Sequence, residues 1–125
     1  MTRQITITVG DITLRATLND SPTAQQIWDA LPLTGRANVW GDEIYFGIPL
    51  SMTEAEDARA EVEVGALAFW PPGNAFCIFY GPTPVSNGQE PRAYSPVNVF
   101  GHIQDDATQL RGTRNGISVH IAQDM

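Results

Sequence analysis

The stretch of residues 65–84 constrains the fold more than any other part of the chain. Two apolar runs, residues 66–70 and 75–80, flank a turn of Pro, Pro, Gly and Asn, and no charged residue interrupts them. Each run has the length of a strand and is rich in aromatic or branched side chains. Because a strand that is apolar on both faces must be covered on both faces, we predict that this hairpin is the centre of a β core.

Further short segments alternate between apolar and polar residues, as strands with one buried face do. They cover residues 4–9, 12–18, 36–40, 43–48, 61–64, 97–103 and 117–122. The period changes to that of a helix over residues 23–31, where Asp20 or Ser21 can cap the first turn. A second, short helix is predicted over residues 105–110, and residues 81–96 form the longest loop.

The sum is a mainly β chain of about eight short strands and two helices. The 11 glycines and 9 prolines lie between the apolar runs, as expected for a chain with many turns. Because most connections are short enough for hairpins, we predict a closed or nearly closed antiparallel barrel. At 125 residues the chain is most simply one domain, residues 1–125.

Charge and cysteine content limit the partners and the compartment. The formal net charge of −7 argues against binding to nucleic acid or to an anionic membrane, since both favour clustered Lys and Arg. Cys77 is the single cysteine, so no intrachain disulfide is possible. The first residues lack the apolar core of a signal peptide, and no run is long enough to span a membrane. A cytoplasmic protein is the expectation.

Signatures of catalysis and metal binding are missing from the sequence. One cysteine and two distant histidines, His102 and His120, make no zinc-binding pattern. The acidic residues 54–57 lack the spacing of a calcium loop, and no glycine-rich nucleotide-binding motif occurs. We therefore expect no metal and no cofactor, and the sequence leaves open whether the chain is an enzyme.

The remaining signal is an excess of aromatic residues near turns, which either pack in the core or line a site. In the run 75–80, Phe76, Ile78 and Tyr80 alternate with a second set that a helix, a loop, a partner or a ligand must cover. An apolar groove with a few polar groups at its rim is a common small-molecule or peptide site. The candidate ligand-binding residues are Trp40, Glu43, Tyr45, Trp70, Phe79, Arg92 and Asn98.

Four segments of the chain resemble the small bacterial and archaeal cyclophilin-like proteins, a family of uncharacterised function. The segments are Asn38-Val39-Trp40-Gly41-Asp42-Glu43-Ile44-Tyr45-Phe46, Trp70-Pro71-Pro72-Gly73, Phe79-Tyr80-Gly81-Pro82-Thr83-Pro84 and Pro96-Val97-Asn98-Val99-Phe100-Gly101. The resemblance runs from about Ile5 to the C-terminus. It implies a closed barrel of eight antiparallel strands with a helix over each end.

The resemblance to true cyclophilins is local and omits their catalytic set. Cyclophilins carry Phe-His-Arg before an Ile-Pro pair, and that arginine stabilises the twisted prolyl amide. Here Ile48-Pro49 follow Ile-Tyr-Phe-Gly, without an arginine. The glutamine and the histidine of the cyclophilin site fall near Ala75 and Val97.

Three functions remain open at this point. The first is a non-enzymatic module whose groove binds a small molecule or an extended, proline-containing peptide. The alternative is a divergent peptidyl-prolyl cis-trans isomerase, for which Arg92 would have to stabilise the transition state from the long loop. The third is a subunit that buries its aromatic face in a homo-oligomer.

Overall fold

The structure, a computed structural model, describes residues 3–124. The strands in chain order are β1 (Arg3–Val9), β2 (Ile12–Leu18), β3 (Leu33–Arg36), β4 (Asn38–Val39), β5 (Glu43–Gly47), β6 (Arg59–Glu61), β7 (Ala66–Trp70), β8 (Ala75–Phe79), β9 (Arg92–Ile103) and β10 (Ser118–Gln123). One helix, α1 (Pro22–Ala30), lies between β2 and β3, and 3-10 turns cover Pro71–Gly73 and Ala107–Leu110. The fold is mainly β and antiparallel, as predicted.

Helix α1 begins where the sequence places its cap. The Ser21 hydroxyl accepts a hydrogen bond from the Ala24 backbone N–H at 3.1 Å, and Pro22 occupies the first turn, where its missing N–H costs nothing. Ala24 and Ile27 are buried on one face of the helix. The helix therefore covers part of the sheet, and its predicted position is confirmed to within one residue at each end.

The prediction of a closed eight-stranded barrel is wrong. Among the described residues, the hydrogen-bonded strands follow an open path in the order β3-β10-β1-β2-β9-β7-β8-β5-β4, and β6 pairs with β9 beside this path. The two ends of the path are consecutive along the chain, with Ala37 between them. The Ala37 N–H donates to the Ile117 carbonyl and its carbonyl accepts from the Gly116 N–H, both at 2.8 Å. The predicted strand 36–40 is therefore interrupted where its backbone changes partners.

The prediction of two helices is also wrong, since α1 is the one α-helix within residues 3–124. Residues Ala107–Leu110 form a single 3-10 turn, which begins at Asp106, whose side chain accepts from the Thr108 N–H at 3.0 Å. The turn ends at once because Gly112 adopts a φ of 93° and the Thr113 N–H bonds back to Leu110. The cap at Asp106 thus starts a 3-10 turn of four residues, which does not continue into an α-helix.

The loop predicted over residues 81–96 is shorter than expected. Strand β9 begins at Arg92 and includes Pro96, because the short strand β6 pairs with its first half. The pairing is irregular, with Arg59 opposite Val97 and Glu61 opposite Arg92. This irregularity accommodates a proline, which cannot donate to a regular ladder.

The hairpin of β7 and β8 contributes to two buried clusters on opposite faces of β8, so its predicted central position is confirmed. The main core receives Phe76, Ile78 and Tyr80, and the Phe76 ring packs against Phe46 and Phe100 at centroid distances of 5.3 and 5.0 Å. The second cluster consists of Val62, Ala66, Ala68, Ala75, Cys77, Phe79, Ala93 and Val97. Tyr45, Trp70 and Val99 pack against its margin. In residues 3–124, no helix has the length and apolarity needed to cross a membrane.

Candidate functional site

A pocket of about 210 Å³ opens at the margin of the second cluster. Its lining residues are Trp40, Glu43, Tyr45, Trp70, Ala93, Tyr94 and Val97. They come from the β4–β5 hairpin, the end of β7 and the first half of β9. The pocket is therefore built from segments that are distant in the sequence and that meet only in the folded sheet.

The β4–β5 hairpin aligns Trp40 and Glu43 on one face. Their backbones exchange two hydrogen bonds, Trp40 N–H to the Glu43 carbonyl at 2.9 Å and Glu43 N–H to the Trp40 carbonyl at 3.1 Å. Side chains of such directly opposed residues share a face of the sheet. The loop between them has only two residues, and Gly41 supplies the positive φ, 59°, that such a tight turn needs.

Three aromatic rings form the walls at the mouth of the pocket. The Tyr94 ring lies 6.3 Å from Trp40 and 6.2 Å from Trp70 between centroids, with interplanar angles of 65° and 87°. The Trp70 indole N–H donates to the Ser95 hydroxyl at 2.7 Å, which fixes the orientation of this ring. Tyr94 is 74% exposed although its neighbours are half-buried. Tyr94 therefore meets both tryptophans edge to face, and the three rings line an open pocket instead of packing in the core.

Gly73 allows the Trp70 indole to take this place. A Cβ atom at residue 73 would lie 2.6 Å from Cζ3 of Trp70, closer than real Cβ contacts. The absence of a side chain in the Pro71–Gly73 turn therefore leaves room for the indole. This turn is part of the segment that the sequence analysis placed at the centre of the fold.

Glu43 supplies the buried polar group of the pocket. Its side chain is only 5% exposed, and its Oε1 atom has no hydrogen-bond partner among the described residues. Burial raises the pKa of the Glu43 carboxyl to about 7, and a hydrogen bond with Cys77 lowers it by a smaller amount. At neutral pH the carboxyl is therefore populated in both its charged and its neutral form.

Cys77 lies beneath Glu43 in the second cluster. Tyr45 pairs with Cys77 between β5 and β8, and Glu43 pairs with Phe79. Burial, with further contributions from the Glu43 carboxyl, raises the pKa of the Cys77 thiol well above its ordinary value. Because the thiolate is the nucleophilic form, this protonated, buried thiol is a packing residue. The thiol can donate its single proton either to the Glu43 carboxyl or to the Ala75 carbonyl oxygen, which lies 3.9 Å from Sγ.

The structure brings together four of the seven candidate residues, Trp40, Glu43, Tyr45 and Trp70, around one pocket. Phe79 is fully buried in the second cluster and does not line the pocket. It lies directly opposite Glu43 in the β5–β8 ladder. Phe79 therefore contributes to the site by packing next to Glu43 and not by lining the pocket.

Arg92 and Asn98 lie outside the lining of this pocket. The Arg92 guanidinium pairs with Glu61 at 3.8 Å, across the β6–β9 ladder. The Asn98 side chain is buried and holds the segment before β6, accepting from the Ala55 N–H at 2.8 Å and donating to the Thr53 carbonyl at 3.0 Å. Its position and its satisfied amide indicate a structural role.

Sequence reasoning did not include Ala93, Tyr94 and Val97 in the site. All three belong to the first half of β9. The proline-rich composition assigned Ala93 and Tyr94 to the loop 81–96, whereas Val97 was predicted to begin a strand. The available signal was Tyr94, the one aromatic residue in the segment 81–96. Among residues 3–124, no group of three or more His, Cys, Asp or Glu side chains is arranged to hold a metal ion.

Comparison with known proteins gives the chain a family. The sequence model described as cyclophilin-like matches residues 3–122. The solution structure of the hypothetical protein AF2241 from Archaeoglobus fulgidus is similar over 98% of this chain and 95% of that one, with 34% identity and a TM-score of 0.81. No curated protein matches the chain. The agreement over almost the whole length shows that the chain belongs to the cyclophilin-like family.

Proposed function

We propose that the chain is a binding module of the cyclophilin-like family that takes a small molecule in the pocket beside Glu43. The observation that carries the proposal is the combination of aromatic walls with one buried carboxyl oxygen that lacks a partner. Concave, mainly apolar sites with a few polar groups are typical of ligand pockets. The volume of about 210 Å³ lies below the ~300–1,000 Å³ of pockets for drug-sized ligands. A small molecule, or one side chain of an extended peptide, fits this size.

A larger groove beside α1 supports binding less well. It measures about 1010 Å³ and is lined by residues 19–23, 26, 51–53, 55–57, 98 and 99. The two buried polar side chains in its lining already have partners: Asn98 bonds to Thr53 and Ala55, and it donates to the Thr23 hydroxyl at 3.4 Å. Glu43 differs because its Oε1 atom is left without a partner. An unpaired buried acceptor costs about 1–3 kcal/mol, which a ligand donor would recover.

The isomerase alternative depends on an arginine in the site. Catalysis at a prolyl amide needs a donor at the prolyl nitrogen, and Arg92 was the candidate. Its guanidinium group pairs with Glu61, and Arg92 is not among the residues that line the pocket. The hypothesis stays a prediction, and a protease-coupled prolyl isomerisation assay tests it. A rate equal to the uncatalysed rate would remove it.

A fragment screen by ligand-observed NMR, followed by ¹H–¹⁵N shift mapping, tests the binding module. We expect bound fragments to shift the amides of residues 43–45, 70, 93–95 and 97. Replacing one of the two pocket tryptophans, in Trp40→Leu, should weaken fragment binding about fivefold or more, as truncation of an aromatic anchor does. Trp28→Leu is the matched control, because Trp28 is also half-buried but lies on α1. Shifts centred on the groove beside α1, or no binding by any fragment, would contradict the proposal.

A further inference from the structure

We propose that the ligand of this pocket is a small organic cation, an alkylammonium group held between the aromatic walls and paired with the Glu43 carboxylate. This inference rests on the proposed function of the pocket and names the chemical class of its ligand. Three independent features of the structure support it: the carboxyl group, the rings and the distribution of the chain's own positive charges.

The first feature is the buried carboxyl group. Glu43 lines the pocket, is only 5% exposed, and has an Oε1 atom without a partner among residues 3–124. A neutral donor would satisfy the hydrogen bond but would leave the charge of the ionised form uncompensated. A cation compensates the charge, and one that also carries an N–H or O–H group, such as the hydroxyl of choline, can donate a hydrogen bond to the carboxylate, the stronger, charge-assisted kind. The buried Glu43 carboxylate therefore favours a positively charged ligand.

The second feature is the arrangement of the rings. The Tyr94 ring lies edge to face with both Trp40 and Trp70, at centroid distances of 6.3 and 6.2 Å. A cation over the face of an indole or phenol ring is attracted within about 6 Å of its centroid, and aromatic boxes recognise quaternary ammonium groups in this way. Two of the three walls are indoles, which are the strongest partners in such contacts.

The third feature is that the nearby arginines have other partners. Arg92 pairs with Glu61 at 3.8 Å, and Arg111 pairs with Asp42 at 3.4 Å. In the described part of the chain, no ion pair involves Glu43. The net charge of −7 further raises the local concentration of cations and disfavours anions. The protein thus keeps its own cations away from an acid that faces a pocket.

Binding of a cation should displace a proton from Glu43. The titratable groups on β5, on β8 with the residue after it, and on the first half of β9 are Tyr45, Cys77, Tyr80, Arg92 and Tyr94, and Asp42 precedes Glu43 in the chain. Arg92 is the one cation in this set, and it is paired with Glu61. Since burial raises the Glu43 pKa to about 7, the ionised fraction grows roughly tenfold between pH 6 and pH 8. The affinity for a permanently charged ligand should grow by the same factor.

The test uses choline and its neutral isostere 3,3-dimethylbutan-1-ol, titrated into the whole chain with ¹H–¹⁵N shift mapping. We expect choline to shift the pocket amides, to bind at least tenfold more tightly than the alcohol, and to gain affinity from pH 6 to pH 8. Glu43→Gln should weaken choline about tenfold or more and abolish the pH dependence. Tyr94→Leu, a change at an exposed position, should weaken choline by about threefold or more, as loss of a ring face predicts. Glu90→Gln is the control, since it removes the same charge from an exposed residue outside the pocket.

The outcomes separate this inference from the proposed function. If the alcohol shifts the pocket amides as strongly as choline, or if choline binding is unchanged in Glu43→Gln, the cation is not the ligand although the pocket still binds. If neutral fragments bind there and choline does not at millimolar concentration, the inference is overturned and the binding module stands. If nothing binds in the pocket, both fail. The pH dependence of the unmodified protein gives a reading that does not depend on any variant folding correctly.

Discussion

The Glu43 carboxyl group is removed from water on folding without a partner for its Oε1 atom. Its pKa of about 7 in the folded state lies above the ordinary value of 4.5 because burial disfavours the charged form. The folded protein therefore holds this proton more tightly than the unfolded chain does. It follows that the contribution of Glu43 to stability is fully present below about pH 4.5 and is lost as pH rises through about 7.

The variant Glu43→Gln should reveal this loss. At pH 8 the amide avoids the buried charge, so the free energy of unfolding should increase by roughly 2–3 kcal/mol relative to the unmodified protein. At pH 5 both side chains are neutral in the folded state and most of the gain should vanish. Urea denaturation at the two pH values measures the difference, with Glu90→Gln as the exposed control. A gain of equal size at both pH values would contradict the raised pKa.

Single residues of the pocket differ in how far the sequence alone could identify them. Glu43 and Tyr45 alternate along one predicted strand, and Trp40 ends the strand before its turn, so a local pattern was enough to place the three residues near one another. Tyr94 was missed because its place depends on β6, a strand of three residues from a distant acidic segment. Arg92 was misplaced for the same reason, since its partner Glu61 lies on that strand. Such contacts depend on tertiary pairing, which a local pattern does not record.

At the scale of elements, β9 connects the parts of the sheet, because it pairs with β2, β6 and β7. Gly101 lies where it passes between two partners, opposite Leu18 on β2 and Leu67 on β7. A Cβ atom at this position would lie 2.8 Å from the Thr17 carbonyl oxygen, which is backbone and cannot rotate away. The close approach of β2 and β9 therefore requires glycine at this residue.

The substitution Gly101→Ala should lower the free energy of unfolding by about 1–3 kcal/mol, as overpacking does. The matched control is Gly47→Ala on β5, where an added Cβ meets no heavy atom within 4 Å. There the change should be neutral or should stabilise by up to about 1 kcal/mol, because alanine loses less backbone entropy than glycine. Chemical denaturation should show a loss of stability in Gly101→Ala and no loss in Gly47→Ala. Equal losses in both would show that the Thr17 contact is not the cause.

The elements themselves were predicted best where one residue pattern was sufficient. The apolar runs of β7 and β8 and the capped helix α1 were located almost to the residue. The prediction of a second helix was wrong because the cap at Asp106 starts only one 3-10 turn. The prediction missed the first half of β9 because Pro96 favours a loop, and the sequence does not show its irregular pairing with β6.

At the scale of the whole molecule, the first and last strands lie side by side within the sheet, next to its β3 end. Ile5 pairs with Gln123 between β1 and β10, and the Asp124 N–H donates to the Gln4 carbonyl at 2.9 Å. Chains with neighbouring ends tolerate circular permutation when the new ends fall in an exposed loop. The order of the elements along the chain is therefore less important to this sheet than their pairing.

A permutant that joins residue 125 to residue 1 through a short glycine-serine linker, with new ends between Gly88 and Gln89, should fold. Its melting temperature should stay within several degrees of the original, because the cut lies at exposed residues between β8 and β9. A second permutant with new ends between Val97 and Asn98, inside β9, should not fold cooperatively. Thermal denaturation followed by circular dichroism distinguishes them. Equal behaviour of the two permutants would contradict the connecting role of β9.

The junction at Ala37 has a consequence for behaviour in concentrated solution. Both ends of the sheet, β3 with four residues and β4 with two, are short and succeed one another in the chain. Long unpaired strands template the addition of strands from other molecules, and this is a common origin of aggregation. Ends as short as these offer few free N–H and C=O groups to a second molecule. Although residues 66–70 and 75–79 are strongly apolar, they lie inside the sheet, so the folded protein does not offer the edges of these strands to a second molecule.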